Sequence, residues 1–158
     1  MAEPLADKVI RKIDQAAELY HRLVMVVAPA GAGKTSALQD VHARSGAPLV
    51  NVNLQLSCCM LELTERQRAL QLPRLLAEIV NAVETDVILL DNIEILFDVS
   101  LKQDPLRLLQ GLSRNKTIVA TWGGAIDGEY MIYATPDHPE YKRYPVRDVL
   151  IVTPEVAA

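Results

Sequence analysis

The residues with the clearest chemistry lie between positions 28 and 35, where the sequence reads APAGAGKT. This is the phosphate-binding P-loop pattern, with Ala28 in the position of the first glycine. Gly31 and Gly33 allow the backbone to bend tightly and to turn its N–H groups towards phosphate oxygens, while the helix that follows directs its positive N-terminus at the same anion. We expect the Lys34 ammonium group to reach the β- and γ-phosphates and the Thr35 hydroxyl to bind Mg²⁺.

A second, acidic element extends this prediction. Residues 87–91 read VILLD, four apolar residues followed by Asp91. At the carboxyl end of a parallel strand, the Asp91 carboxylate would lie near the phosphates and hold Mg²⁺ through water. The pattern therefore predicts ATP and Mg²⁺ as cofactors, with Thr35 and Asp91 at the metal. The predicted nucleotide contacts are Pro29, Ala30, Gly31, Ala32, Gly33, Lys34, Thr35 and Ser36.

The residues after Asp91 bear on hydrolysis. Many P-loop ATPases carry a glutamate next to this aspartate, whereas this chain has Asn92. An amide can orient a water molecule but cannot accept its proton. Glu94 is the nearest carboxylate, and it is either a second group that orients water or a solvated residue in the first turn of a short helix. The protein is thus a candidate ATPase in which binding is predicted and rapid hydrolysis is not.

Two further polar residues close predicted elements. Thr121 ends a strand, where its hydroxyl either senses the γ-phosphate or bonds to the backbone of the next loop. Arg114 follows a helix, where a cation complements the helix dipole. The alternative for Arg114 is an arginine finger that reaches the nucleotide of a neighbouring subunit. That alternative predicts a homo-oligomer with nucleotide sites at its interfaces.

Basic and aromatic residues interleave between positions 141 and 147, a pattern that suits contact with DNA. The residues are Tyr141, Lys142, Arg143, Tyr144 and Arg147. Sixteen Lys and Arg against twenty Asp and Glu leave a net charge of −4, which argues against a broad basic face for nucleic acid. A solvated, partly packed loop is the alternative interpretation.

Composition fits one domain with an aliphatic core. The chain has 158 residues, of which 50% are hydrophobic and only 4% aromatic. It has no apolar run that approaches the roughly 20 residues of a membrane span. Its first residues lack the basic head and apolar core of a signal peptide. With the adjacent Cys58 and Cys59 interpreted as reduced thiols, these features predict a cytoplasmic protein with no membrane contact.

Apolar runs alternate with amphipathic segments along the chain. This pattern predicts an α/β fold, in which a parallel sheet is covered by helices on both faces. An N-terminal amphipathic helix within residues 1–22 is expected to pack on a single domain, residues 23–158. The predicted strands are 23–28, 48–54, 86–91, 116–121, 131–134 and 149–153. The predicted helices are 4–21, 34–44 with Gly46 as its stop, one that starts at a capping box of Thr64 and Gln67 and breaks near Pro73, an apolar stripe over 72–83, and 105–113 with Asp104 as its cap. Residues 122–145 are the most loop-like stretch.

The order of these elements resembles the AAA+-like class of P-loop NTPases. That resemblance implies a sheet of strand order 5-1-4-3-2, and the short tail after the last predicted strand implies no C-terminal helical lid. The segments APAGAGKT, TERQRALQLPRLLAEIV, LLDNIEILFDVSLKQDPLRLLQGLSRNKTIVATW and HPEYKRYPVRDVLIVTPE resemble BrxF, the small P-loop protein family of type 3 BREX phage-defence systems in bacteria. This resemblance covers nearly the whole chain and implies a cytoplasmic subunit that acts with other proteins of such a system.

The sequence therefore leaves three functions open. The first is an ATP-binding, weakly ATP-hydrolysing subunit of a type 3 BREX complex. The second is a nucleotide-gated interaction module without turnover, which Asn92 and the expected absence of a lid favour. The third is an adaptor that contacts DNA through residues 141–147.

Overall fold

Parallel strands form the centre of the molecule. The computed structural model describes residues 4–29, 31–134, 136–146 and 149–154. Within the described residues the strands are β1 (Leu23–Ala28), β2 (Leu49–Asn51), β3 (Val87–Asp91), β4 (Thr117–Asp127), β5 (Tyr130–Tyr133), β6 (Lys142–Pro145) and β7 (Leu150–Val152). Five of them run parallel in the order β2-β3-β4-β1-β7, while β5 pairs antiparallel with β4 and β6 pairs antiparallel with β5.

Helices cover both faces of this sheet. In the described part of the chain they are α1 (Leu5–Ala16), α2 (Lys34–Ser45), α3 (Val52–Met60), α4 (Glu65–Asn81) and α5 (Pro105–Leu112). A first 3₁₀ helix, Ile93–Phe97, and a second, Val99–Leu101, follow β3. Side chains of α1 and α2 form one hydrophobic cluster with the sheet, and those of the other elements form a second cluster on the opposite face. The predicted α/β fold with a largely parallel open sheet is therefore confirmed.

The burial of strand β1 on both faces explains why its sequence is apolar throughout. Val24 and Val26 belong to the cluster with α1 and α2, whereas Met25 and Val27 belong to the cluster on the other face. All four side chains are buried. A strand that is covered on both faces requires this continuous apolar run.

Among the described helices, none has the length and apolar character needed to cross a membrane.

Several predicted helix ends are confirmed. Thr64 and Gln67 exchange both hydrogen bonds of a capping box at the start of α4. The Asp104 carboxylate accepts from the Arg107 backbone N–H at 3.3 Å and caps α5. Gly46 ends α2 with a φ of 76°, a left-handed conformation that glycine adopts without a Cβ clash.

Two predicted elements around α3 and α4 are wrong. The strand expected over 48–54 ends at Asn51, because the Asn51 side-chain oxygen accepts from the Leu54 backbone N–H and starts α3. Helix α4 does not break near Pro73 but continues through it. The buried side chains Leu72 and Leu76 lie on either side of the exposed proline. Their burial contributes about 1.5–3 kcal/mol each, enough to offset the roughly 3 kcal/mol cost of an internal proline.

Two predicted boundaries also differ. The N-terminal helix, expected over 4–21, ends at Ala16 and is followed by a turn in which the Leu19 N–H donates to the Ala16 carbonyl. Strand β4 does not end at Thr121 but continues to Asp127. The stretch 122–145, expected to be loop-like, therefore contains the second half of β4 and strands β5 and β6. We call residues 123–134 and 136–145 the hairpin extension.

Aromatic side chains anchor the hairpin extension to the parallel sheet. Trp122 is fully buried, and its indole N–H donates to the Ile132 carbonyl at 3.0 Å. The Phe97 and Tyr133 rings stack with centroids 3.6 Å apart, and both meet Trp122 edge-on. The Tyr144 hydroxyl donates to the Asp104 carboxylate at 2.8 Å. Burial is the main reason that the pKa of Tyr144 is raised, and this hydrogen bond raises it further.

Gly124 generates a first testable prediction. A Cβ at this position would overlap the Ile132 carbonyl oxygen and lie 2.9 Å from the Trp122 indole nitrogen. We expect Gly124→Ala to lower the free energy of unfolding by about 1–3 kcal/mol, measured by urea denaturation. The matched control is Gly111→Ala in α5, where a Cβ would meet open space and gain up to about 1 kcal/mol of helix propensity. Equal effects of the two changes would contradict this account of the hairpin extension.

Candidate functional site

A buried carboxylate connects three elements at the carboxyl edge of the parallel sheet. Asp91 ends β3 and is only 6% exposed. Its Oδ2 accepts from the Thr35 hydroxyl at 2.7 Å. Its Oδ1 accepts from the Thr121 hydroxyl at 2.8 Å and from the Asn92 backbone N–H at 2.9 Å. The structure thus joins the start of α2, the middle of β4 and the turn after β3 through one side chain.

The glycine-rich segment lies between β1 and α2. Gly31 and Gly33 have φ values of 81° and 90°, and Gly33 immediately precedes the first residue of α2. Both angles belong to the left-handed region, which explains why glycine occupies these two positions. Ala30, a predicted nucleotide contact, lies outside the described residues.

Lys34 turns back over the end of β1. Its ammonium group donates to the Ala28 carbonyl at 2.8 Å and to the Pro29 carbonyl at 2.9 Å. Partial burial lowers the pKa of Lys34, and the nearby carboxylates of Glu94 and Asp91 oppose that shift. The lysine is therefore a cation held by two neutral acceptors at the mouth of the cleft.

An open cleft of about 400 Å³ brings most of the predicted site together. It is lined by Gly31, Gly33, Lys34, Thr35, Ser36, Asp91, Asn92 and Glu94. Glu94 is exposed on the first 3₁₀ helix, and its Oε1 would lie 3.5 Å from a Cβ on Gly123 of β4. Its carboxylate therefore borders the same cleft as Lys34.

The chemistry of these groups fits a phosphate chain with Mg²⁺. The Thr35 hydroxyl and the Asp91 carboxylate are hard oxygen donors, which Mg²⁺ prefers, and few protein ligands suffice because Mg²⁺ keeps several waters. The lysine and the start of α2 supply positive charge beside them. Within the described residues, no cluster of three or more His, Cys, Asp or Glu side chains offers a different metal site.

The backbone explains why asparagine follows Asp91. Asn92 has φ 55° and ψ 57°, and its carbonyl accepts from the Asn53 backbone N–H at 3.0 Å. Asparagine tolerates this left-handed conformation better than other side chains with a Cβ. The backbone conformation of the turn therefore explains why residue 92 is an asparagine. This explanation does not depend on any contact that the amide makes in the cleft.

Other predicted residues lie elsewhere or outside the described ranges. Arg114 lies at the amino edge of the sheet, where its guanidinium is 5.1 Å from the Tyr20 ring centroid, so it does not join its own chain's cleft. The Thr121 hydroxyl donates to Asp91 rather than to a loop backbone. Of the basic and aromatic stretch, Lys142–Pro145 is strand β6, and Arg147 lies outside the described residues.

Sequence reasoning missed the contribution of the hairpin extension. Tyr133 is half-buried. Its burial is the main reason that the pKa of its phenol is raised, and the negative charges of Glu140 and Glu94 raise this pKa further. The ring stacks on Phe97, which ends the 3₁₀ helix that carries Glu94. The available signal was the pair Gly123 and Gly124, since adjacent glycines in a strand indicate close approach by another group.

Comparison with known proteins leaves the site to be interpreted from its geometry. No protein-family model matches this chain, and no curated protein matches it.

The left-handed turn at Asn92 generates a second prediction. We expect Asn92→Ala to lower the free energy of unfolding by about 1–2 kcal/mol, because an alanine Cβ is strained at positive φ. Asn92→Gly is the matched control, since it removes the same amide and relieves the strain. Urea denaturation compares the two variants, and an alanine variant as stable as the glycine variant would contradict the backbone explanation.

Proposed function

We propose that this chain is a P-loop NTPase of the AAA+-like class that binds ATP and Mg²⁺ in the cleft of the glycine-rich segment. The observation that carries the proposal is the convergence of Lys34, Thr35 and Asp91 at one edge of the sheet. The strand order supports it as well. If only the five parallel strands are numbered, the order β7-β1-β4-β3-β2 becomes 5-1-4-3-2.

Each residue has a distinct role in this proposal. Lys34 exchanges its bonds to the Ala28 and Pro29 carbonyls for phosphate oxygens, which are charged and therefore stronger acceptors. Thr35 and Asp91 would hold Mg²⁺. When bound, Mg²⁺ neutralises charge that develops on the phosphates. Asn92 and Glu94 orient water on the open side of the cleft.

Removal of the Lys34 ammonium group tests the site directly. We expect Lys34→Ala to weaken ATP binding by about 10–100-fold in titration calorimetry, because charged hydrogen bonds contribute roughly 1.5–3 kcal/mol. Folding should be retained, since the side chain bonds only two carbonyls at the cleft mouth. Lys12→Ala on α1 is the control for loss of one positive charge. Unchanged affinity in a folded Lys34→Ala variant would exclude this cleft as the nucleotide site.

A nucleotide-gated module without turnover is the second candidate function. Asn92 favours this function, because it stands where many P-loop ATPases carry a glutamate. The left-handed backbone conformation of residue 92 explains why asparagine is found there. Weak hydrolysis depends instead on Glu94, whose residue lines the same cleft as Lys34. Single-turnover hydrolysis of bound ATP, with and without partner proteins, separates a slow ATPase from a binding module.

We also propose the biological setting that the sequence resemblance implies. The chain would act in the cytoplasm as a subunit of a type 3 BREX phage-defence complex, with other proteins of that system as partners. In a homo-oligomer, Arg114 could reach only a neighbour's nucleotide, because it lies at the opposite edge from its own cleft. Direct DNA contact has less support, since Arg143 of the basic stretch already lies 3.7 Å from the Tyr130 ring centroid.

A further inference from the structure

Thr121 has a contact that neither of its predicted roles includes. Its side chain is 2% exposed within the fourth strand, opposite Val26 of the first strand. Its hydroxyl donates to Asp91 Oδ1 at 2.8 Å. A hydroxyl so deeply buried and already donating to a carboxylate is not available to a phosphate in the open cleft. If it contributes to the site, it does so through Asp91.

The two oxygens of the Asp91 carboxylate have different partners. Oδ1 accepts from the Thr121 hydroxyl in β4 and from the Asn92 backbone N–H in the turn after β3. Oδ2 faces the Thr35 hydroxyl at 2.7 Å. A carboxylate turns about a broad terminal torsion, so only its partners define which oxygen faces which way. Two donors on Oδ1 direct Oδ2 towards Thr35.

We propose that Thr121 is a positioning residue, whose hydroxyl orients Asp91 so that Oδ2 faces the Mg²⁺ position beside Thr35. This inference rests on the proposed function, because it requires that Mg²⁺ accompanies nucleotide at Thr35 and Asp91. It differs from phosphate sensing in its consequence. Loss of the Thr121 hydroxyl should weaken the metal-dependent part of nucleotide binding and leave the metal-free part unchanged.

The experiment compares nucleotide affinity with and without metal. The affinity of a non-hydrolysable ATP analogue is measured by calorimetry, once in Mg²⁺ and once in EDTA. For Thr121→Val we expect affinity in Mg²⁺ to fall by about 10–100-fold, the usual loss when an outer partner of a metal ligand is removed. Affinity in EDTA should remain that of the wild type. Thr121→Ser keeps a hydroxyl and should recover most of the Mg²⁺-dependent affinity.

Thr117→Val is the matched control, because Thr117 is buried at the start of the same strand and the substitution changes the same atoms. A second readout needs no nucleotide. The unfolding midpoints of Thr121→Val, Asp91→Ala and the double variant should be non-additive, because the first change removes the donor and the second the acceptor of the same hydrogen bond. If Thr121→Val does not fold, Thr121→Ala replaces it with the same expectations.

The outcomes separate this inference from the proposed function. If wild-type protein binds the analogue more tightly with Mg²⁺ and a folded Thr121→Val variant keeps that difference, the positioning role is overturned and the nucleotide site stands. Equal losses in Mg²⁺ and in EDTA would also overturn it, in favour of direct phosphate contact or a general distortion. If wild-type protein does not bind the analogue, the proposed function fails and the inference fails with it.

Discussion

The candidate site depends on one buried carboxylate and its three hydrogen bonds. Asp91 is the end of a central strand, and water reaches little of it, so its oxygens require protein donors. Thr35, Thr121 and the Asn92 N–H supply them. These bonds link the glycine-rich segment, β4 and the turn after β3. The positions of Lys34 and Glu94 follow from those elements, because one starts α2 and the other lies just beyond the turn.

The hairpin extension is the second structural requirement of the site, although it lies outside the parallel sheet. Gly123 lies beside the Glu94 carboxylate, and Gly124 lets β5 approach the Trp122 indole. The stacked pair of Phe97 and Tyr133 then connects β5 to the 3₁₀ helix that carries Glu94. The cleft therefore combines the carboxyl edge of the parallel strands with a wall that is braced by aromatic packing.

Most of the sheet and much of the site could be predicted from sequence, because apolar runs, helix caps and the glycine-rich pattern are local signals. The bounds of β1 and the caps at Thr64 and Asp104 are examples. The features that the sequence did not predict depend on contacts between distant residues, or on burial that overrides a local preference. Continuity through Pro73 depends on burial against the sheet, and β4 continues past Thr121 because it pairs with β5. The Thr121–Asp91 bond joins residues 30 positions apart, and the left-handed turn at Asn92 is not visible in residue order.

The most direct test of the central claim is a crystal structure of the protein with a non-hydrolysable ATP analogue and Mg²⁺. We expect the β- and γ-phosphates to lie against the glycine-rich segment, with Lys34 moved from the Ala28 and Pro29 carbonyls onto phosphate oxygens. We also expect Mg²⁺ beside Thr35 and Asp91, while the Thr121 hydroxyl still donates to Asp91 Oδ1. A nucleotide bound at another surface, or a Lys34 that keeps both carbonyl bonds beside a bound nucleotide, would contradict that claim.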